Sequence, residues 1–187
     1  MASENNAVYR QCVGLAVFNR DGRVFLGRRR SGPETGKLPQ AWQMPQGGID
    51  PGETPLEAAL RELYDETNIR SVSLLGEASD WFSYDLPAPL AGKAWRGRYR
   101  GQNQKWFAFR FDGEDSEIDV AHPGDGKQRP EFTDWRWEDL ARVPELIVPF
   151  KRAVYDQVAA AFARFAVPDP KPVAGNGPGR GVSRPRA

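Results

Sequence analysis

This sequence predicts a mixed α and β fold, and three observations predict it. A strongly signalled amphipathic helix starts at Thr54. Two apolar runs flank an Asp-Gly turn near the start of the chain. The later strand-like and helix-like segments interleave too irregularly for a repeating βαβ unit.

The elements follow in chain order. Residues 12–18 are an apolar run, Asn19-Arg20-Asp21-Gly22 carries a turn signal, and residues 24–26 are apolar again, so a β-hairpin is expected. Residues 31–40 hold two Pro and two Gly and read as a loop. Residues 41–44 read as a short strand entering Gly47-Gly48. The helix has Thr54 as N-cap, Pro55 at its first position and Glu57 three residues after the cap, the signature of a reciprocal capping box. Leu56, Ala59, Leu60 and Leu63 recur at i, i+3, i+4 and i+7 as its expected buried stripe. Asn68, tolerant of left-handed backbone, is expected to end it. Residues 72–75, 104–111 and 135–137 are strand candidates, and residues 148–165 are a candidate terminal helix.

Length and composition bound the classes. A chain of 187 residues can close one domain around a core, with little room for two. We expect that domain over residues 1–166. Residues 167–187 form a Pro- and Gly-rich tail expected to be disordered. Its four basic residues, Lys171, Arg180, Arg184 and Arg186, oppose Asp169 alone; that net +3, taken from a total of +1, leaves −2 for the body. No apolar run approaches the roughly 20 residues of a membrane span, and the N-terminus lacks a secretory pattern. The single cysteine, Cys12, excludes an intramolecular disulfide and is expected to be buried and inert. A cytoplasmic location, with no membrane association and no obligate protein partner, is the expectation. His122 is the sole histidine, so a His-centred triad or His metal site has no support.

The helix also carries chemistry. Glu62, Asp65 and Glu66 stand at i, i+3 and i+4, expected on a face well away from the Leu stripe. Like charges at this spacing cost a helix roughly 0.2–0.5 kcal/mol per pair. A hard divalent cation with oxygen ligands reverses that sign, and Mg2+ bridges a few carboxylates to substrate phosphates. Taken alone, the triplet fits a solvated acidic face, with Arg61 and Arg70 nearby.

The flanks add more. Gly47 is followed by five residues and Glu53, then seven residues and Arg61-Glu62-Leu63-Tyr64-Asp65-Glu66-Thr67-Asn68-Ile69. This resembles the Nudix box, with Asp65 where Glu is usual and Asn68 where Gly is usual. The resemblance implies a mixed β-sheet sandwiched between helices, and a hydrolase of pyrophosphate bonds. It implies divalent metal held by Glu62 and Glu66, with Asp65 as helper, and a Glu53–Arg61 pair that braces the loop. Two or more Mg2+ ions are expected, with Mn2+ or Zn2+ as substitutes.

Beyond the box, the chain is similar to the subgroup of bacterial RNA pyrophosphohydrolases and dinucleoside polyphosphate hydrolases. Tyr9-Arg10, Val13-Gly14, Arg28-Arg29, the run from Trp42 to Ile49, Gln104-Lys105-Trp106-Phe107, Pro130-Glu131-Phe132, Trp135-Arg136-Trp137 and Pro149-Phe150-Lys151-Arg152 carry that similarity. It implies 5′-triphosphorylated RNA as substrate and a role initiating mRNA decay, or else diadenosine polyphosphates. A catalytically silent nucleotide- or RNA-binding module is the alternative from another class. By the same resemblance Arg29 and Phe150 sandwich a base, and Arg10, Gln43 and Lys151 lie near phosphates or base. Glu131 completes the metal site or orients water. Trp106, Phe107, Trp135 and Trp137 are expected to be core or cleft wall. Residues 112–119 are expected to be a solvated turn. Residues 94–101, with Arg96, Arg98 and Arg100, are a basic loop that follows RNA phosphates or is simply solvated surface.

Overall fold

The computed structural model describes residues 8–31, 41–91 and 94–170. Most of the expected loop at 31–40, and the tail from 171 onward, lie outside them. One mixed sheet holds seven strands: β1 (Val8–Phe18), β2 (Val24–Arg29), β3 (Trp42–Gln43), β4 (Gln46–Gly48), β5 (Val72–Asp85), β6 (Tyr99–Phe111) and β7 (Phe132–Glu138). The helices are α1 (Pro55–Thr67), α2 (Ala88–Ala91), α3 (Val143–Leu146) and α4 (Arg152–Phe162). The strand order is β3-β2-β1-β6-β5, with β4 paired to β1 and β7 paired to β2. β1 runs parallel to β6, while its other edge meets β4 at Cys12 to Gly14 and β2 at Phe18.

The period of two along β1 and β6 divides the core. Val13, Leu15 and Val17, with Phe107, Phe109 and Phe111, pack toward Ala58, Ala59 and Leu63 of α1. Ala16 and Phe18, with Trp106 and Ala108, pack toward Val154, Tyr155, Val158 and Phe162 of α4. A strand covered on both faces shows an unbroken apolar run, which is how residues 12–18 read in the sequence. Cys12 is fully buried, and burial pushes its thiol up to about 11, which keeps it protonated at neutral pH. Trp106 and Phe107 are core, and Trp135 and Trp137 pack around Phe25.

Helix α1 is capped as its sequence predicts. Thr54 Oγ1 accepts from Glu57 N, Glu57 Oε2 accepts from Thr54 N at 2.8 Å, and Asn68 closes the helix at φ 66°. The buried arc is displaced from the expected stripe. Leu60 is 43% exposed, whereas Ala58, Ala59, Leu63, Glu66 and Thr67 are buried. Two alanines let the helix lie close on the sheet, and at 100° per residue Glu66 falls about 20° from Ala59. The acidic residues therefore adjoin the buried arc and are not set well away from it.

Other expectations need extension. The strand at 72–75 continues to Asp85, because register shifts opposite β6 break its alternation and mask its length. The segment 94–101 is only partly loop: residues 94–97 form a 3-10 turn, and from Tyr99 the chain is β6. Arg100 there is paired to Asp85 at 2.5 Å and lies over the Tyr9 ring. The terminal helix at 148–165 breaks into 3-10 turns on either side of α4. No helix among the described residues is long and apolar enough to cross a membrane.

Gly14 of β1 lies flat against the Trp106 indole, where any added Cβ would overlap the ring. Gly14→Ala is expected to lower stability by about 1–3 kcal/mol, the usual cost of overpacking, read as a drop in the urea midpoint at unchanged m-value.

Candidate active site

The site forms where α1, β4 and the chain entering β7 meet. A cleft of about 220 Å3 is lined by Arg10, Arg29, Gln46, Gly47, Gly48, Glu62, Gln102 and Glu131. A second recess shares Glu62 and Glu131 with it and adds Asp50, Arg61, Asp65, Glu66, Gln128 and Arg129. Guanidinium groups and carboxylates line these recesses together, the two kinds of group that a metal-bridged polyphosphate needs.

Glycines allow the close approach. A Cβ on Gly47 would overlap the Glu62 carboxylate, and one on Gly48 would overlap the Arg10 guanidinium. Arg61 holds the loop: Nε and Nη2 donate to Glu53 at 2.6 and 2.9 Å, Nη2 donates to Gly48 O at 2.9 Å, and Nη1 donates to Glu62 Oε1 at 2.8 Å. The Arg61 hydrogen bonds, together with the Asp50 amide, hold the Glu53 carboxyl down at about 2. A carboxylate with a lowered folded pKa stabilises the native state above its ordinary value, and that contribution fades as pH falls. The stability gap between wild type and Glu53→Gln is therefore expected to be constant above about pH 4.5 and to close toward pH 2 in pH-dependent urea unfolding.

Glu66 is 4% exposed. Its Oε2 accepts from Gln46 N at 3.1 Å, while its Oε1 is buried without a hydrogen-bond partner. Burial, then the charges of Glu131 and Glu62, raise its carboxyl well above the usual carboxylate range. Burial also raises Glu62, opposed by its Arg61 hydrogen bond. Among the described residues no three acidic, His or Cys side chains already converge on a point that would hold an ion. The donor set still fits Mg2+, which takes one or two carboxylates and completes its shell with water and substrate phosphates. An orphaned, buried carboxylate oxygen beside two further acids is what such a cation would satisfy.

Comparison with known proteins bears on this geometry. The NUDIX domain family matches residues 8–158, which include both recesses. The chain belongs to the Nudix family.

Nudix relatives reach high identity. An RNA pyrophosphohydrolase of Azorhizobium caulinodans is 63% identical over 158 residues, 84% of this chain and 94% of its own. One from Bradyrhizobium sp. (strain ORS 278) is 60% identical over the same shares. Among solved structures, the E. coli dihydroneopterin triphosphate pyrophosphohydrolase has a TM-score of 0.58 at 21% identity, covering 82% of this chain and 98% of that one. A C. elegans Ap4A hydrolase complex gives 0.52 at 19%, covering 83% and 95%. At these identities the structures speak for the Nudix fold alone.

The structure brings Arg10, Arg29, Glu62 and Glu131 to one Nudix cleft and places Asp65 and Glu66 in the adjoining recess. Arg29 engages Glu131 at 3.3 Å. Phe150 and Lys151 do not line these two recesses. Phe150 packs on Tyr84 at 5.7 Å, and Lys151 is 2% exposed, its Nζ donating to Gln43 Oε1 at 3.4 Å. Gln43 is itself buried, with its Nε2 unsatisfied. Sequence reasoning gave no role to Gln46, Gln102 or Gln104, which hydrogen-bond one another under the cleft. For Gln102 and Gln104 the signal was present as polar residues at alternate positions of a strand whose next inward position is Trp106; Gln46, on β4, carried none.

Proposed function

We propose that this chain is an RNA pyrophosphohydrolase, which cleaves the 5′-triphosphate of RNA to a 5′-monophosphate and pyrophosphate, the step that initiates mRNA decay. The observation that carries the reading is a cleft that brings guanidinium groups together with partly buried carboxylates, in a Nudix chain 63% identical to a relative of that name. Nudix hydrolases generally use divalent metal. We assign two or more Mg2+ ions to Glu62 and Glu66, with Asp65 and Glu131 assisting and Mn2+ or Zn2+ as substitutes. Bound there, the metal would neutralise and polarise phosphoryl oxygens.

The chain's own groups supply the rest. Arg10 and Arg29 present planar, permanently charged forks to the phosphates. Glu131 sits at the boundary of both recesses, placed to accept the proton of the attacking water as its oxygen adds to phosphorus and the pyrophosphate oxygen leaves. The Glu53–Arg61 brace keeps Glu62 in place. Arg29 and Phe150 bracket the base, and Gln43 and Lys151 complete that side, Phe150 turning from Tyr84 to do so. An RNA substrate places the enzyme in the cytoplasm.

The test is kcat/KM with Mg2+ on 5′-triphosphorylated RNA and on diadenosine tetraphosphate, side by side. A preference for RNA of about tenfold or more, roughly 1.4 kcal/mol, is expected. The opposite preference assigns the chain to dinucleotides, and tight binding without turnover of either leaves a silent module.

A further inference from the structure

Beneath the cleft a chain of side chains runs from the core to the surface. It begins at Trp106, fully buried between Gly14 on one side and the Tyr155 ring at 5.4 Å on another. Trp106 Nε1 donates to Gln104 Oε1 at 3.1 Å. Gln104 Nε2 in turn donates to Gln102 Oε1 at 2.9 Å and to Gln46 Oε1 at 3.2 Å. Gln46 Nε2 approaches Gln102 Oε1 at 3.5 Å, and the Gln46 main-chain N donates to Glu66. The three amides are 1–8% exposed, and Gln46 and Gln102 form part of the cleft lining.

The order of donors and acceptors in this chain is forced. A carboxamide has an oxygen that only accepts and a nitrogen that only donates, and its two ends are nearly the same size. An indole N–H can only donate. Trp106 therefore fixes the oxygen of Gln104 inward and its nitrogen outward. That nitrogen fixes the oxygens of Gln102 and Gln46 toward it, so the Gln102 –NH2 is left for the cleft. Turning any one amide over would set donor against donor in a buried site, which buried polar groups do not tolerate.

We propose that Trp106 is a positioning residue that sets the cleft floor as a hydrogen-bond donor surface, with the Gln102 amide as a subsite for non-bridging phosphate oxygens beside Arg10. The inference rests on the polyphosphate reading of the cleft and deepens it. A floor of the opposite polarity would present an amide oxygen to an anion and repel it. A neutral donor can bind phosphate without adding a charge that competes with the metal for the carboxylates of the same cleft. Base carbonyl oxygens share the same acceptor chemistry, and the probes below separate the two sources.

The experiment replaces Trp106 with benzothienylalanine, which keeps the bicyclic shape and substitutes sulfur for N–H. It is combined with Gln102→Leu in a double-mutant cycle. Binding of inorganic triphosphate and of a 5′-hydroxyl oligoribonucleotide is measured by calorimetry with Mg2+ present, alongside the melting temperature. Expected are a melting temperature lowered by only several degrees with cooperative unfolding retained, because each change takes one hydrogen-bond partner from the buried Gln104 amide, and a Kd for triphosphate raised about three- to tenfold in each single variant. The double variant should be no weaker than Gln102→Leu alone, and 5′-hydroxyl binding should be unaffected. Wild-type affinity in the Trp106 variant, additive losses in the cycle, an effect confined to the 5′-hydroxyl probe, or failure of wild type to bind triphosphate would each overturn the proposal. Failure of the wild type to hydrolyse triphosphorylated RNA, with the triphosphate cycle as expected, would overturn the proposed reaction and leave the subsite standing.

Discussion

Glu66→Gln is expected to abolish most turnover while making the metal-free protein more stable. The glutamine keeps the shape and can still accept from Gln46 N, as Glu66 Oε2 does at 3.1 Å. It removes a charge whose second oxygen is buried without a partner, beside Glu62 and Glu131. The amide nitrogen then stands where that oxygen was, so the gain comes from losing the buried charge and its repulsion by Glu62 and Glu131. The sign with pH follows from the direction of the shift. Glu66 ionises in the native state only above its ordinary range, so the metal-free wild type loses stability as pH rises from about 4.5 through the raised value. The variant lacks that loss, and the two melting curves should diverge with increasing pH. Added Mg2+ should stabilise wild type and have little effect on the variant. Turnover on triphosphorylated RNA should fall on the order of 10²–10³-fold, the scale seen when one preorganised electrostatic group is removed. Near wild-type turnover, or a metal-free protein destabilised by the change, would contradict the assignment of Glu66 as a metal ligand.

Gly47→Ala is the second large effect, and it separates function from folding. The new methyl would occupy the space of the Glu62 carboxylate. That carboxylate is the far end of a flexible side chain, so the clash is relieved by swinging Glu62 out toward solvent at little cost in stability. The displaced group leaves its hydrogen bond with Arg61 and the wall shared by both recesses. Turnover should fall about 100-fold or more, with the melting temperature within a few degrees of wild type. The contrast with Gly14→Ala is instructive. There the obstacle is the locked indole of Trp106, which cannot swing aside, so the loss appears in stability. A Gly47→Ala protein that keeps full activity would mean that Glu62 acts from another position.

Local physics settled much of the chain in advance. The capping residues Thr54 and Glu57, the left-handed Asn68, the apolar run of β1 and the spacing from Gly47 to Ile69 are all short-range features. They gave the helix, the mixed fold class and the Nudix family without any long-range information. Composition also placed Cys12 inside, and left Trp106 as core or cleft wall.

What required the tertiary structure was everything set by which face meets which neighbour. Periodicity put Leu60 in the core and the acids far from it. The sheet chose instead the arc with Ala58 and Ala59, where the helix can lie closest, and that choice buries Glu66 while exposing Leu60. The full length of β5 was hidden because its bulges oppose β6 and leave no regular pattern in its own sequence. The positions of Phe150 and Lys151 against Tyr84 and Gln43 depend on how α4 and the turn before it pack. The polarity of the Gln46–Gln102–Gln104 floor is the clearest case. Glutamine is symmetric in shape and ambiguous in direction, and only a donor-only indole brought in by the strand register decides which end faces the cleft.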